Sequence, residues 1–199
     1  MSDKPFSQAC ENNKRPILAV LAQVFDRPGV VLEIGSGTGQ HGVFFAERLT
    51  HLYWQPSDRA ENIPGMSLWF ADAGLPNLLP PLVLDVTQDH WPAGQYQGVF
   101  TANTLHIMAW SEVEAMFARL VGVLAQGASL CIYGPFNYEG RFTSPSNRAF
   151  DAMLRDQVPH MGIRDITDVT ELAERHGLGL QADHAMPANN RLLVFKHHL

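Results

Sequence analysis

Val30-Val31-Leu32-Glu33-Ile34-Gly35-Ser36-Gly37-Thr38-Gly39 is the stretch on which the reading of this chain turns. Apolar and β-branched residues around a single acid predict a buried strand of a parallel sheet. The Gly-x-Gly-x-Gly run predicts a tight turn, with a helix following from near Gly39 towards Leu49. Glycines suit such a turn because the backbone bends sharply and lets a ligand approach where a Cβ would clash. Glu33 ends the strand, where it can accept hydrogen bonds from a cationic or hydroxyl-bearing ligand and would repel a pyrophosphate.

Outward from this turn, strands and helices alternate. Asn12, Asn13 and Pro16 predict a helix start with asparagine as the cap, an apolar stripe from Ile17 to Phe25, and a stop at Asp26-Arg27-Pro28-Gly29. A second strand is expected over Leu52 to Gln55, ending in Pro56-Ser57-Asp58, and a third over Leu82 to Val86. A short helix around Ser67 to Ala73 interrupts the proline- and glycine-rich stretch between them. Gly98 to Asn103 reads as a fourth strand, and Ser111 with Glu114 as a capping box opening a helix whose stripe runs from Val113 to Leu124. Leu130 to Tyr133 is a fifth strand. Helices from Pro145 and from Asp168 to Gly177 follow, then a hairpin of Leu178 to Ala182 and Arg191 to Lys196. Together these describe an α/β doubly wound, mostly parallel seven-stranded sheet with a C-terminal antiparallel hairpin.

Composition narrows the chemistry. With 199 residues, 46% of them hydrophobic, the chain can bury the core of a single domain. A net charge of −6, with 14 basic residues that form no run, argues against an extended nucleic-acid surface. Cys10 and Cys131 are too few and too far apart for a disulfide framework or a metal knuckle, and no metal-ligand spacing occurs elsewhere. The polar N-terminus and the lack of any apolar run near ~20 residues predict neither secretion nor a membrane span, so a cytoplasmic protein is expected.

The acid followed by Gly-Ser-Gly-Thr-Gly resembles motif I of the class I S-adenosylmethionine-dependent methyltransferases. A dinucleotide-binding turn wants G-x-G-x-x-G, and here the last glycine comes one residue early, at Gly39, with Gln40 in its place. The resemblance implies S-adenosyl-L-methionine as cofactor, with Glu33, Gly35, Ser36, Gly37 and Gly39 around its methionine part. It implies Asp58 on the ribose hydroxyls, with Ser57 or Gln55 as alternative holders because Asp58 stands beyond the expected strand end. Asp85 with Val86 falls at the adenine, and Asn103 beside cofactor and acceptor. Carboxylates suit those positions because vicinal hydroxyls and an exocyclic amine are all donors.

Asn103-Thr104-Leu105-His106 follows the fourth strand, where such enzymes meet the acceptor, and His106 is the candidate general base. Tyr138 is a second catalytic candidate, and Tyr133, Phe136 and Asn137 candidate pocket walls. Arg141 offers a counter-charge to a compact, partly aromatic or anionic small-molecule acceptor. Neither the Asn/Asp-Pro-Pro-Tyr/Phe motif of many nitrogen methyltransferases nor the acid of metal-dependent catechol enzymes stands at Asn103.

Blocks along the chain are similar to a small methyltransferase-like family without an assigned substrate. They are Ala9-Cys10-Glu11-Asn12-Asn13-Lys14-Arg15-Pro16-Ile17, Trp54-Gln55-Pro56-Ser57-Asp58, Ala73-Gly74-Leu75-Pro76-Asn77, Leu84-Asp85-Val86, Tyr133-Gly134-Pro135-Phe136, Ser146 to Asp151 and Gly162-Ile163-Arg164-Asp165. This resemblance implies one domain over 1–199, with 1–28 as a helical cap that brings Asn13 over the cofactor; a plain helix cap is the alternative for Asn13. A non-catalytic cofactor-binding scaffold, acting through a protein partner, and an NAD-binding oxidoreductase are the rival functions.

Overall fold

A computed structural model describes residues 4–198. Met1 to Asp3 of the expected cap, and Leu199, lie outside the described residues. Seven strands form one sheet: β1 (Gly29–Ile34), β2 (Leu52–Asp58), β3 (Leu82–Val83), β4 (Tyr96–Ala102), β5 (Leu124–Gly134), β8 (Leu178–Met186) and β9 (Asn190–His197). The order is β3-β2-β1-β4-β5-β9-β8. The first five are parallel, and β9 runs antiparallel to both β5 and β8. Two short strands, β6 (Phe136–Asn137) and β7 (Arg164–Asp165), pair separately. The helices are α1 (Gln8–Val24), α2 (Gln40–Arg48), α3 (Ile63–Ala73), α4 (Trp110–Leu120), α5 (Pro145–Gln157) and α6 (Ile166–Arg175).

The period-2 alternation of the strands separates two cores. Leu32, Ile34, Val99, Leu130 and Ile132 pack with Val113, Met116 and Phe117 of α4 and Val169 and Leu172 of α6. Val31, Trp54, Phe100, Cys131 and Val194 pack on the opposite face with Ile17 and Leu21 of α1 and Phe45 of α2. Glu33 falls on this second face, beneath α2. The parallel strands all deliver their carboxyl ends to one edge, at the reversal between β1 and β4 where open α/β sheets hold ligands.

Several expected boundaries move. Helix α1 starts at Ser7, whose Oγ accepts the Cys10 N–H, so Asn12 and Asn13 lie inside the helix and do not cap it. Pro16 is interior and leaves the Asn12 carbonyl without its helical partner; complete burial of Ile17 and Leu21 offsets that loss.

Strand β2 runs through Pro56 to Asp58, which sets Asp58 at the strand end. Proline is tolerated because Trp54 and Asp58 bond across the β3 side through Asn77, Leu79 and Leu84, and Pro56 faces the irregular backbone between those contacts. The third strand pairs for only two residues, since its partner ends at Asp58.

Helix α4 begins at Trp110, one residue before Ser111, with Ala109 as its cap. The Glu112 carboxylate accepts the Ala109 N–H, and the first strand turn of β5 takes Leu124, the last residue of the expected stripe. Asp165 caps α6 through the Thr167 N–H, ahead of the expected Asp168. No helix among the described residues is long and apolar enough to cross a membrane.

Candidate functional site

One cavity of about 1010 Å³ lies at the carboxyl edge of the sheet. Its first end is built on the glycine turn. Gly35 (φ 73°) and Gly37 (φ 56°) both have left-handed backbones. A Cβ on Gly35 would strike Thr104 Cγ2 at 2.5 Å, whereas one on Gly37 would enter open space within the cavity wall. Gly39 sits off the wall, closing against Met66 and Phe70 of α3.

Asp58 ties the turn to β2. Its Oδ2 accepts the Gly37 N–H at 2.7 Å, and its Oδ1 accepts the Arg59 N–H and the Asn62 amide. Asp85 Oδ1 takes the Thr87 N–H and hydroxyl, and these bonds hold its carboxyl below the usual carboxylate range. Ser36, Asp58, Asp85, Val86 and Asn103 all line this cavity.

Helix α1 covers the same end through Ser7, Ala9, Cys10, Asn12 and Asn13. It is stitched to α2: the Ser7 N–H donates to Gln40 Oε1, and Gln40 Nε2 donates to Glu11. His41 Nε2 lies 2.7 Å from Asn13 Oδ1. Burial lowers the His41 pKa to about 4, so the imidazole is neutral, its Nε2–H donating. Cys10, 4.0 Å from His41 Nδ1, has its thiol pKa raised, first by burial.

Besides Gly39, two expected cofactor contacts are off the wall. Glu33 is buried, its carboxylate accepting the Trp54 indole N–H at 2.8 Å. Burial pushes its pKa up to about 7. Ser57 is fully buried and its hydroxyl donates to the Glu33 carbonyl. The Gln55 amide is likewise occupied, by the Pro56 and Pro80 carbonyls. Asp58 therefore stands alone among the ribose candidates on the cavity.

The second end lies past β4. Asn103 (φ 60°) turns the chain immediately after the strand, in a conformation asparagine tolerates. His106 follows on the wall with its ring against Phe150, centroids 5.3 Å apart. Burial, then the Arg164 charge, lowers the His106 pKa to about 4. Arg164 bonds the carbonyls of Leu105, Met108 and His160, and the Gly162 N–H donates to the His106 carbonyl. This clamp joins the 105–108 loop to the segment after α5.

The residues expected to close over an acceptor lie elsewhere. The Tyr138 hydroxyl donates to Asp183 Oδ2, so the proposed catalytic role is corrected; Phe136 is packed in the core, and Asn137 faces a separate surface hollow beside Arg164. Pairing of β6 with β7 draws this loop away from the cavity, and Arg141 bonds backbone to backbone with Tyr138. Ile107, Met108, Phe150, Val158, His160 and Met161 form the second end instead, with Tyr133 and Pro135 between the two. In the sequence, His106, Tyr133 and the matching blocks around Tyr133 to Phe136 and Ser146 to Asp151 point to this wall.

Residues 4–197 match the sequence profile of the family described as "Protein of unknown function (DUF938)". The chain belongs to the DUF938 family. Solved structures share its fold. An O-methyltransferase family protein from Burkholderia thailandensis matches with a TM-score of 0.82 at 16% identity, covering 93% of this DUF938 chain and 56% of that protein. An O-methyltransferase family 2 protein from Planctomyces limnophilus, in complex with apigenin, matches with a TM-score of 0.81 at 14% identity over 95% and 57%. An O-methyltransferase from neocarzinostatin biosynthesis, in complex with S-adenosylmethionine and 2-hydroxy-5-methyl naphthoic acid, gives 0.76 at 18% over 95% and 54%. The DUF938 chain thus has the class I methyltransferase fold and spans a little over half the length of these structures.

Proposed function

We propose that this DUF938 protein is an S-adenosylmethionine-dependent methyltransferase acting on a small-molecule acceptor, its single domain over 1–199 capped by α1. The carrying observation is one continuous cavity with a glycine turn and two acids at one end and a second compartment lined by His106, Met108, Phe150 and Met161 at the other.

The donor set fits the cofactor. Open space above Gly37 suits the methionine part, Asp58 the ribose, and Asp85 with Val86 the adenine. Asp58 Oδ2 retains a lone pair after accepting from Gly37, and Asp85 Oδ2 is left over after Thr87 has taken Oδ1. When bound, the cofactor supplies a methyl group already activated as a sulfonium, so alignment and exclusion of water are the protein's main tasks. Asn13 and α1 cover that end, and Asn103 lies between donor and acceptor. His106, a neutral imidazole, accepts the proton of a hydroxyl acceptor.

An open second compartment favours catalysis over a scaffold that only binds the cofactor. NAD is disfavoured because Gln40, at the position of the third fingerprint glycine, is locked to Ser7 and Glu11 of α1. Small-molecule ligands in related folds, apigenin and a naphthoic acid, support the acceptor class, and the net charge of −6 disfavours nucleic acid.

The test is transfer of a tritiated methyl group from labelled S-adenosylmethionine into an ultrafiltered small-molecule extract, alongside purified RNA and protein fractions. Label in the ultrafiltrate is expected. Label only in the macromolecular fractions would overturn the small-molecule acceptor.

A further inference from the structure

The two cysteines of the chain stand in different surroundings. Cys131 is fully buried in the same core as Val31, Phe100 and Val194, off the cavity wall. Cys10 sits in the first turn of α1, is half-buried, and lines the donor end of the cavity.

Cys10 faces a base with one free nitrogen. His41 is only 4% exposed, lies on the same wall, and stacks on Phe45 with ring centroids 5.2 Å apart, while Phe100 meets it edge-on. His41 Nε2 is 2.7 Å from Asn13 Oδ1, an acceptor, so Nε2 carries the ring proton and Nδ1 keeps its lone pair. Nδ1 is 4.0 Å from Cys10 Sγ and has no other partner among the described residues. Nucleophile, base and orienting group thus follow one another as Cys10, His41 and Asn13. The thiol does not ionise unaided. Burial and the Glu33 and Glu11 carboxylates disfavour the thiolate, against the Ser7 and Thr38 hydroxyls that favour it. Attack therefore needs a base that takes the proton as the new bond forms.

We propose that Cys10 is a nucleophile assisted by His41, that it takes up a small thiol from a low-molecular-weight disulfide, and that the added group shuts S-adenosylmethionine out of the donor end. The last step rests on the methyltransferase reading. Cys10 Sγ attacks one sulfur of the disulfide while its proton passes to His41 Nδ1. A new S–S bond forms to Sγ, the reagent's S–S bond breaks, and the departing thiolate takes the proton back from His41. Cys10 is oxidised to a mixed disulfide, the departing half is reduced to free thiol, and an added reducing thiol reverses the exchange.

2-Hydroxyethyl disulfide, small and uncharged, is the probe, incubated with the whole chain and followed by intact mass and peptide mapping. One hydroxyethylthio group is expected on Cys10 and none on Cys131. S-Adenosylhomocysteine at about ten times its Kd is expected to slow the labelling roughly tenfold, and His41→Gln to slow it at least about tenfold. The labelled chain is expected to bind S-adenosylhomocysteine at least about tenfold more weakly by calorimetry, as an overfilled site does, and dithiothreitol to restore binding. Labelling of neither cysteine or of Cys131 alone, no protection by S-adenosylhomocysteine, an unchanged rate in folded His41→Gln, or undiminished binding by the labelled chain overturns the proposal. Selectivity, protection and blockade are read on the unaltered chain, so they decide even if the variant does not fold. Failure of the unlabelled chain to bind S-adenosylhomocysteine would remove the methyltransferase reading and the blockade with it, while selectivity and the His41 dependence still decide the chemistry at Cys10.

Discussion

The two ends of the cavity are built in different ways. At the donor end, backbone and side chains are already bonded to one another: Asp58 grips Gly37, Thr87 grips Asp85, and Gln40 and His41 grip α1. At the other end Ile107, Met108, Phe150, Val158 and Met161 line the wall beside His106, whose ring nitrogens have no bonded partner among the described residues. The first arrangement holds a fixed shape for one ligand. On the proposed methyltransferase reading the second would meet the acceptor, so the same fold could change its acceptor by changing a few side chains.

Breaking the donor end should cost most. Gly37→Val puts a β-branched residue on a left-handed backbone, at about 1–2 kcal/mol, and fills the space above the turn. Affinity for S-adenosylhomocysteine is expected to fall at least about a hundredfold by calorimetry. Retained affinity would mean that the ligand does not lie over the turn.

His106→Gln attacks the other end. Methyl transfer to a hydroxyl acceptor is expected to drop roughly a hundredfold or more, the usual scale for losing a general base, with binding of S-adenosylhomocysteine unaltered. A variant that loses both would mean that His106 supports the fold of the whole cavity.

Two buried groups, Glu33 and His106, titrate with opposite sign. Glu33, beneath the donor turn, has a folded pKa of about 7 against an ordinary 4.5. Between those values the folded state binds more protons than the unfolded one, so stability falls as pH rises through that window. Glu33→Gln should flatten this fall, by on the order of 2 kcal/mol, in denaturant titrations between pH 5 and pH 7.5. His106 is depressed from 6.5 to about 4, so its contribution is full above 6.5 and lost as pH falls towards 4. An unchanged slope in Glu33→Gln would argue against a protonated Glu33 at neutral pH.

A smaller effect is expected at Arg164, whose guanidinium fixes the carbonyls of Leu105, Met108 and His160. Lysine keeps the charge but not the planar fork. Arg164→Lys should raise the acceptor KM several-fold, a cost of about 1 kcal/mol, and leave cofactor affinity alone.

The same contrast governs what could be read from the residues. The donor end is local in sequence: a strand, a glycine turn, and acids near the ends of the next strands, all visible as motifs. Even there Glu33 and Ser57 lie off the cavity wall, because their burial depends on Trp54 and on each other across two strands. Asp58 gained its position only because β2 continues through Pro56. The acceptor end is assembled from the loop after β4, helix α5 and its following segment, which no spacing connects. Tyr138 and Arg141 were expected on that wall and went elsewhere, drawn off when Phe136–Asn137 paired with Arg164–Asp165.

The central claim is that one cavity holds S-adenosylmethionine at the glycine-turn end and its acceptor at the His106 end. Calorimetric titration of S-adenosylhomocysteine into the wild-type chain, Asp85→Ala and His106→Gln tests it most directly. Single-site binding is predicted, weakened by about 1–3 kcal/mol in Asp85→Ala through the lost adenine hydrogen bond and unchanged in His106→Gln. Absence of binding, preferential binding of NAD, or equal loss in the two variants would contradict it.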